Sequence, residues 1–199
     1  GVLTGGPTWG VSDGRQALTF DGVNDYVVAS DRACLAGDVA ATITAWVWLN
    51  NTVTTGGMFG YGNGGIALQS FGFYSNVRGA GVPSVEFAGN NTAYSSAVIA
   101  TGAWVHLAAV KKPGVIKNTT QIYYDGIIQA VNASSSANTP NVGLANVVIA
   151  AYTDLAFSTA CKIDDVRIYA KALSPNEIRL LAQRPGVAYE LAPRKFYSL

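Results

Sequence analysis

Carboxylates are the first residues to test for chemistry in this chain. Glycoside hydrolysis needs two of them, one protonating the leaving oxygen and the other attacking, about 5–5.5 Å apart in retaining enzymes. The glutamates are Glu86, Glu177 and Glu190. Glu177 falls where a helix cap is expected, Glu190 is close to the C-terminus, and Glu86 stands alone in SVEFAG. Asp164 and Asp165 are adjacent in CKIDDVRIYA. Side chains alternate along a strand, so the pair is expected on opposite faces and not as one catalytic couple. Pairing with Lys162 or Arg167, or capping of turns, is the plainer role for them. The stretch FDGVND sets three oxygen donors, Asp21, Asn24 and Asp25, in one tight turn. His106 is the only histidine and lies in the apolar run AWVHLAAV, where a packed, hydrogen-bonded core imidazole is expected rather than a general base. No Ser-His-Asp arrangement can be assembled around it. Sugars are held by aromatic faces and a few polar partners. Tyr61, Asn63, Phe71, Phe73, Tyr74, Tyr94 and Tyr152 lie in or near Gly/Asn-rich segments and are the candidate ligand-binding residues, with rim packing as the alternative for each.

The elements that must position these residues read as strands. Short β-branched and aromatic runs alternate with Gly, Asn, Ser and Thr clusters, the pattern of a sandwich or barrel. Strands are predicted over 17–22, 25–30, 41–50, 65–75, 84–89, 103–112, 121–131, 146–152 and 161–170, and GGMFGYGNGG over 56–65 is predicted as a loop. ATITAWVWLN has substantial residues on both faces, so it is expected at the centre of a sheet with both sides covered. Asp125-Gly126 between apolar runs signals a type I′ hairpin. One helix is predicted: Ser174 as N-cap, Pro175 at the first position and Glu177 closing a capping box.

Bulk properties narrow the field. The 199 residues suit one all-β domain, and 13% charged residues is about half the usual share of about 25%. The net charge of +1 comes without a basic stripe, so nucleic acid is not an expected partner. No apolar run approaches the roughly 18 residues that would suggest a membrane-spanning helix. Cys34 and Cys161 are the candidate disulfide. Joined, they would close most of the chain into one loop, worth about 4–5 kcal/mol in the chain-entropy account. Sequons begin at Asn50, Asn90, Asn118 and Asn132.

Five segments in order, ALTFDGVNDYVV, TITAWVWLN, GAWVHLAAV, IYYDGIIQA and IDDVRIYAKALSPNEIRLLA, resemble a laminin-G-like domain of the concanavalin A-like lectin/glucanase superfamily. The resemblance implies an all-β, two-sheet antiparallel jelly roll with one short C-terminal helix over residues 1–183, followed by an extended tail over 184–199. GVLTGGPTW resembles the approach to the first FDG strand, before which family members often carry one more short segment. The tail resembles segments that follow such domains in phage virion proteins and some secreted bacterial proteins. The resemblance also implies a structural calcium ion, with Asp21, Asn24, Asp25, Asp164 and Asp165 as its candidate ligands.

The expected function is therefore a non-catalytic recognition module that binds glycan or a protein surface. It would belong to a larger extracellular, cell-surface or virion-surface protein. The alternative is a structural or assembly component of a phage virion, held in a homo-oligomer or by particle neighbours. A polysaccharide-degrading enzyme is the third reading.

Overall fold

The computed structural model describes residues 1–30, 34–50, 55–75, 81–133 and 137–183. The expected tail over 184–199 lies outside the described residues. The strands are β1 (Val2–Thr4), β2 (Thr8–Ser12), β3 (Arg15–Asp21), β4 (Tyr26–Ala29), β5 (Ala41–Leu49), β6 (Gly56–Gly62), β7 (Ser70–Ser75), β8 (Ser84–Glu86), β9 (Thr92–Tyr94), β10 (Trp104–Lys111), β11 (Thr120–Tyr124), β12 (Ile127–Ile128), β13 (Asn132–Ala133), β14 (Val147–Ile149) and β15 (Ala160–Tyr169). The helices are α1 (Ile116–Thr119) and α2 (Pro175–Gln183). A front sheet runs in the order β1-β4-β14-β6-β7-β8-β9-β13, and a back sheet runs β12-β11-β10-β5-β15-β3-β2. The pairings between these strands are antiparallel. This is the expected two-sheet jelly-roll sandwich.

Alternation of side chains builds the core. On β5, Ile43, Ala45, Val47 and Leu49 point between the sheets, where Phe59, Phe71, Phe73 and Phe87 of the front half meet them. The outward residues of β5 are covered too, as its sequence demanded. Thr42 accepts from Leu173 N and donates to the Lys171 carbonyl beside α2. The Arg15 guanidinium lies 3.7 Å from the Trp46 ring centroid, and Lys162 lies 4.7 Å from that of Trp48. Cations stacked on indoles thus roof the part of the sheet that the helix leaves uncovered.

Helix α2 buries Ile178 and Leu181, with Leu173 ahead of it, on Ala108, Val110 and Tyr123 of the back sheet. Its capping box forms as read: Ser174 N donates to Glu177 Oε2 at 2.7 Å, and Glu177 N donates to Ser174 Oγ at 3.3 Å. Asp125 (φ 49°) and Gly126 (φ 79°) both take positive φ, as a type I′ turn requires.

Three local expectations are corrected. Residues 56–62 form a buried central strand, not a loop: the glycines that suggested a loop sit where other backbone presses close. Residues 2–4 and 8–12 form edge strands that the sequence reading did not assign. A second helix exists, the single turn α1, which carries no side-chain N-cap bond and so left no capping signal.

Candidate functional site

The outer face of the front sheet carries a small pocket. On β7, Phe71 and Phe73 point inward, which puts Ser70, Gly72 and Tyr74 on the outer face. Gly72 lies opposite Gly60 on one side and Glu86 on the other. A Cβ at Gly60 would sit 2.5 Å from Gly72 Cα, so this part of the floor is bare backbone. The Tyr74 ring leans back over that floor, with Cε2 3.2 Å from where a Gly72 Cβ would be.

The segment after β14 supplies the wall. Tyr152 N donates to the Ala156 carbonyl at 2.9 Å, Leu155 N donates to the Tyr152 carbonyl at 2.7 Å, and Asp154 Oδ1 accepts from Ala156 N at 3.1 Å. Leu155 (φ 68°) and Phe157 (φ 51°) are held in the left-handed region, which turns the chain tightly enough to present both aromatic rings together. Tyr152 meets Tyr74 edge-on at 4.4 Å between centroids and Phe157 at 5.4 Å. Tyr74, Glu86, Tyr152, Thr153, Asp154 and Phe157, with Ser70, Gly64 and Ala88, enclose about 150 Å³. Phe157 is 67% exposed, so much of this large apolar side chain is open to solvent at the mouth.

Hydroxyls and carboxylates converge here. Burial pushes the Tyr74 phenol up to about 12, with its contact to Thr153 opposing and Glu86 and Asp154 adding smaller upward pushes. Burial likewise raises Tyr152, helped by Glu86, Tyr74 and Asp154. Both phenols are therefore protonated at neutral pH. Ser70 Oγ is fully buried beside Tyr74 without a hydrogen bond of good geometry. The arrangement offers aromatic surface, hydroxyl donors and two carboxylate acceptors to a polyol.

The sequence-predicted ligand set is divided by the fold. Tyr74 and Tyr152 meet in the pocket. Tyr61, Phe71 and Phe73 lie between the sheets as core residues, because they alternate inward on β6 and β7. Asn63 Oδ1 accepts from Gly65 N in the turn after β6, a bond internal to that turn. Tyr94 stands farther along the outer face, opposite Ser84 and Asn132. Phe157, Asp154 and Thr153 were missed as site residues. They lie outside any periodic strand, and the one signal was a Thr-Asp pair beside Tyr152.

The expected calcium ligands are not brought together. Asp21 is paired with Ala160, four residues along β15 from Asp164. Its Oδ1 accepts from Val23 N at 2.8 Å, and Asp25 Oδ2 accepts from Asp21 N at 3.0 Å; Asn24 adds its own amide to the same turn. Strict alternation fails at the aspartate pair, where a bulge shifts the register between Asp164 and Arg167 and Asp165 adopts φ 54°. Asp164 pairs with Arg15 at 3.4 Å, and Asp165 holds Arg167 by two bonds of 2.6 and 2.8 Å. Among the described residues no three His, Cys, Asp or Glu side chains cluster as a metal site. The five residues do not fit the calcium site expected of them.

The expected disulfide is also corrected. Cys161 is a buried thiol on β15 opposite Phe20 and Leu49, whereas the Cys34 thiol donates to the Gly143 carbonyl at 3.3 Å; the two are not bonded. His106 is packed and buried as expected, on the outward side of β10, but its Nδ1 lacks the expected hydrogen bond. It is buried against Trp46, and its backbone amide donates to Asp125 Oδ1 at 2.8 Å.

A family profile described as concanavalin A-like lectin/glucanases superfamily matches residues 21–179. The chain belongs to this superfamily, in its laminin-G-like branch. Solved structures with the same fold share little sequence with it. Domain 4 of the extracellular arabinanase AbnA from Geobacillus stearothermophilus, in complex with arabinotriose, is 17% identical with a TM-score of 0.67, covering 90% of this chain and 82% of that one. A Trypanosoma rangeli sialidase is 16% identical with a TM-score of 0.59, and this lectin-like chain, 84% covered, spans only 27% of its length. A heptameric pentraxin from Limulus polyphemus is 14% identical with a TM-score of 0.51, covering 74% of this chain and 71% of that one. No curated protein matches the sequence.

Proposed function

We propose that the chain is a non-catalytic glycan-binding module, with the Tyr74–Tyr152–Phe157 pocket as its ligand seat. One observation carries the reading: three aromatic rings, two carboxylates and buried hydroxyls converge on one cavity of the outer front face. That combination suits a sugar, whose C–H face stacks on an aromatic ring while its hydroxyls need polar partners. The arabinotriose complex of the similar arabinanase domain agrees with it by analogy of fold. An array of oligosaccharides, probed with the wild-type chain and with Tyr152→Ala and Phe157→Ala, tests it. A defined sugar should be bound, about tenfold more weakly by either variant, with no release of reducing ends. Wild-type binding that both variants retain would place the ligand elsewhere. Cleavage lost in Glu86→Gln would make the module an enzyme.

A second reading, an assembly component at an extracellular or particle surface, is favoured by a different observation. Edge strand β2 leaves Trp9 (69%) and Val11 (72%) exposed, and edge strand β1 of the other sheet leaves Val2 exposed. A concentration-dependent oligomer in sedimentation, abolished by Trp9→Lys, would support it.

A further inference from the structure

The wall of the pocket is both pinned and strained. Residues 150–159 leave β14 and return as one tight excursion. Thr159 N donates to the Ala150 carbonyl at 2.9 Å, and Gly57 N, at the start of β6, donates to the Phe157 carbonyl at 3.0 Å. Any Cβ at Gly57 would run into the Ala151 carbonyl, so the excursion lies directly on the β6 backbone. Ala150 (φ 66°), Leu155 and Phe157 all hold left-handed backbone here. Such conformations are unfavourable for residues that carry a side chain; they persist where the surrounding structure imposes them, and they cluster at ligand sites. At Leu155 and Phe157 burial does not offset the cost, because both side chains are exposed. The strain holds an aromatic ring out to solvent on a fixed backbone.

The three rings form a ladder from floor to mouth. Tyr74 is 4% exposed, Tyr152 is half-buried and Phe157 is mostly exposed, and Tyr152 touches both of the others. The cavity, about 150 Å³, has the space of about five waters, which limits it to a single sugar ring. A ring linked to that one must lie beyond the mouth, where the Phe157 face adjoins it. A sugar's apolar face covers exposed aromatic area. Stacking on a ring already held in place also avoids most of the cost of ordering the protein.

We propose that Phe157 is the platform of a second subsite, so that the module takes two adjacent rings of a glycan, one in the cavity and the next stacked on Phe157. The inference rests on the glycan-binding reading and sets the length of its ligand.

The test titrates monosaccharide and disaccharide pairs calorimetrically into the chain: arabinose with arabinobiose, glucose with cellobiose, and the same pair for any sugar bound on the array. In at least one pair the disaccharide should bind at least tenfold more tightly. Phe157→Ala should shrink that ratio to within threefold, whereas Tyr152→Ala should weaken both members and keep the ratio. Phe157→Gly suits the left-handed backbone; it should lose the same advantage with its urea midpoint unchanged or raised, which separates the platform from a role in folding. Equal affinity for both members of every pair that binds, or a disaccharide advantage that survives Phe157→Ala, with binding still weakened by Tyr152→Ala, would overturn the second subsite and leave the glycan reading intact. Binding of no sugar, in these pairs or on the array, would overturn both.

Discussion

His106 offers a direct measurement of how the back sheet is sealed. The imidazole is 2% exposed, its Nδ1 has no hydrogen-bond partner, and burial depresses its pKa from 6.5 to about 4. Asp165 pulls the value back up, while Arg15 and Arg167 add to the depression. The folded state therefore releases the proton more readily than the unfolded state does. Stability is fully present above pH 6.5 and is lost as pH falls from 6.5 toward 4. Linkage puts the full loss at about 3 kcal/mol, of which about 2 kcal/mol has gone by pH 5, before most carboxylates titrate. Urea unfolding followed by tryptophan fluorescence at pH 7.5 and pH 5 reads this difference, because Trp46 packs edge-on against the ring at 5.3 Å. As the chain has a single histidine, His106→Gln should be nearly flat over the same interval. Equal slopes in the two proteins, or an imidazole titrating near 6.5 by NMR, would refute the buried, neutral assignment.

Two further predictions follow from buried polar groups. Lys111 is 1% exposed and donates to Asp38 Oδ1 at 2.6 Å and to the Val39 carbonyl at 3.0 Å; Asp38→Ala should cost about 3–5 kcal/mol in urea unfolding by stranding the ammonium, and Lys111→Met should cost clearly less. Because Cys34 and Cys161 are separate thiols, reductant should leave the unfolding midpoint unchanged, whereas a drop of several kcal/mol would reveal a bond between them.

Much of the fold was legible because it rests on short-range rules. Alternation marked β5, an apolar run marked β10, a positive-φ dipeptide marked the Asp125-Gly126 turn, and Ser174 with Glu177 marked the start of α2. Where the signal depended on contacts distant in sequence, it misled. The glycines of β6 read as a loop, since nothing local says that Gly72 will press against Gly60. Tyr61 and Phe73 read as ligand residues because their glycine-rich surroundings hid which way their strands would face.

By itself, the sequence determined the class of this protein: an all-β chain with the pattern of a sandwich or barrel, which the family resemblance narrowed to a two-sheet jelly roll. Only the tertiary structure decided the site. Glu86 lies on a mid-sheet strand and Asp154 in a turn 68 positions later, and strand order alone brings them to one cavity with Tyr74, Tyr152 and Phe157. It also decided the fate of Asp164 and Asp165. One inserted residue in β15 broke the alternation, and Arg15 and Arg167 took both carboxylates, because partly buried charges need partners at hand and the bulge supplied the geometry.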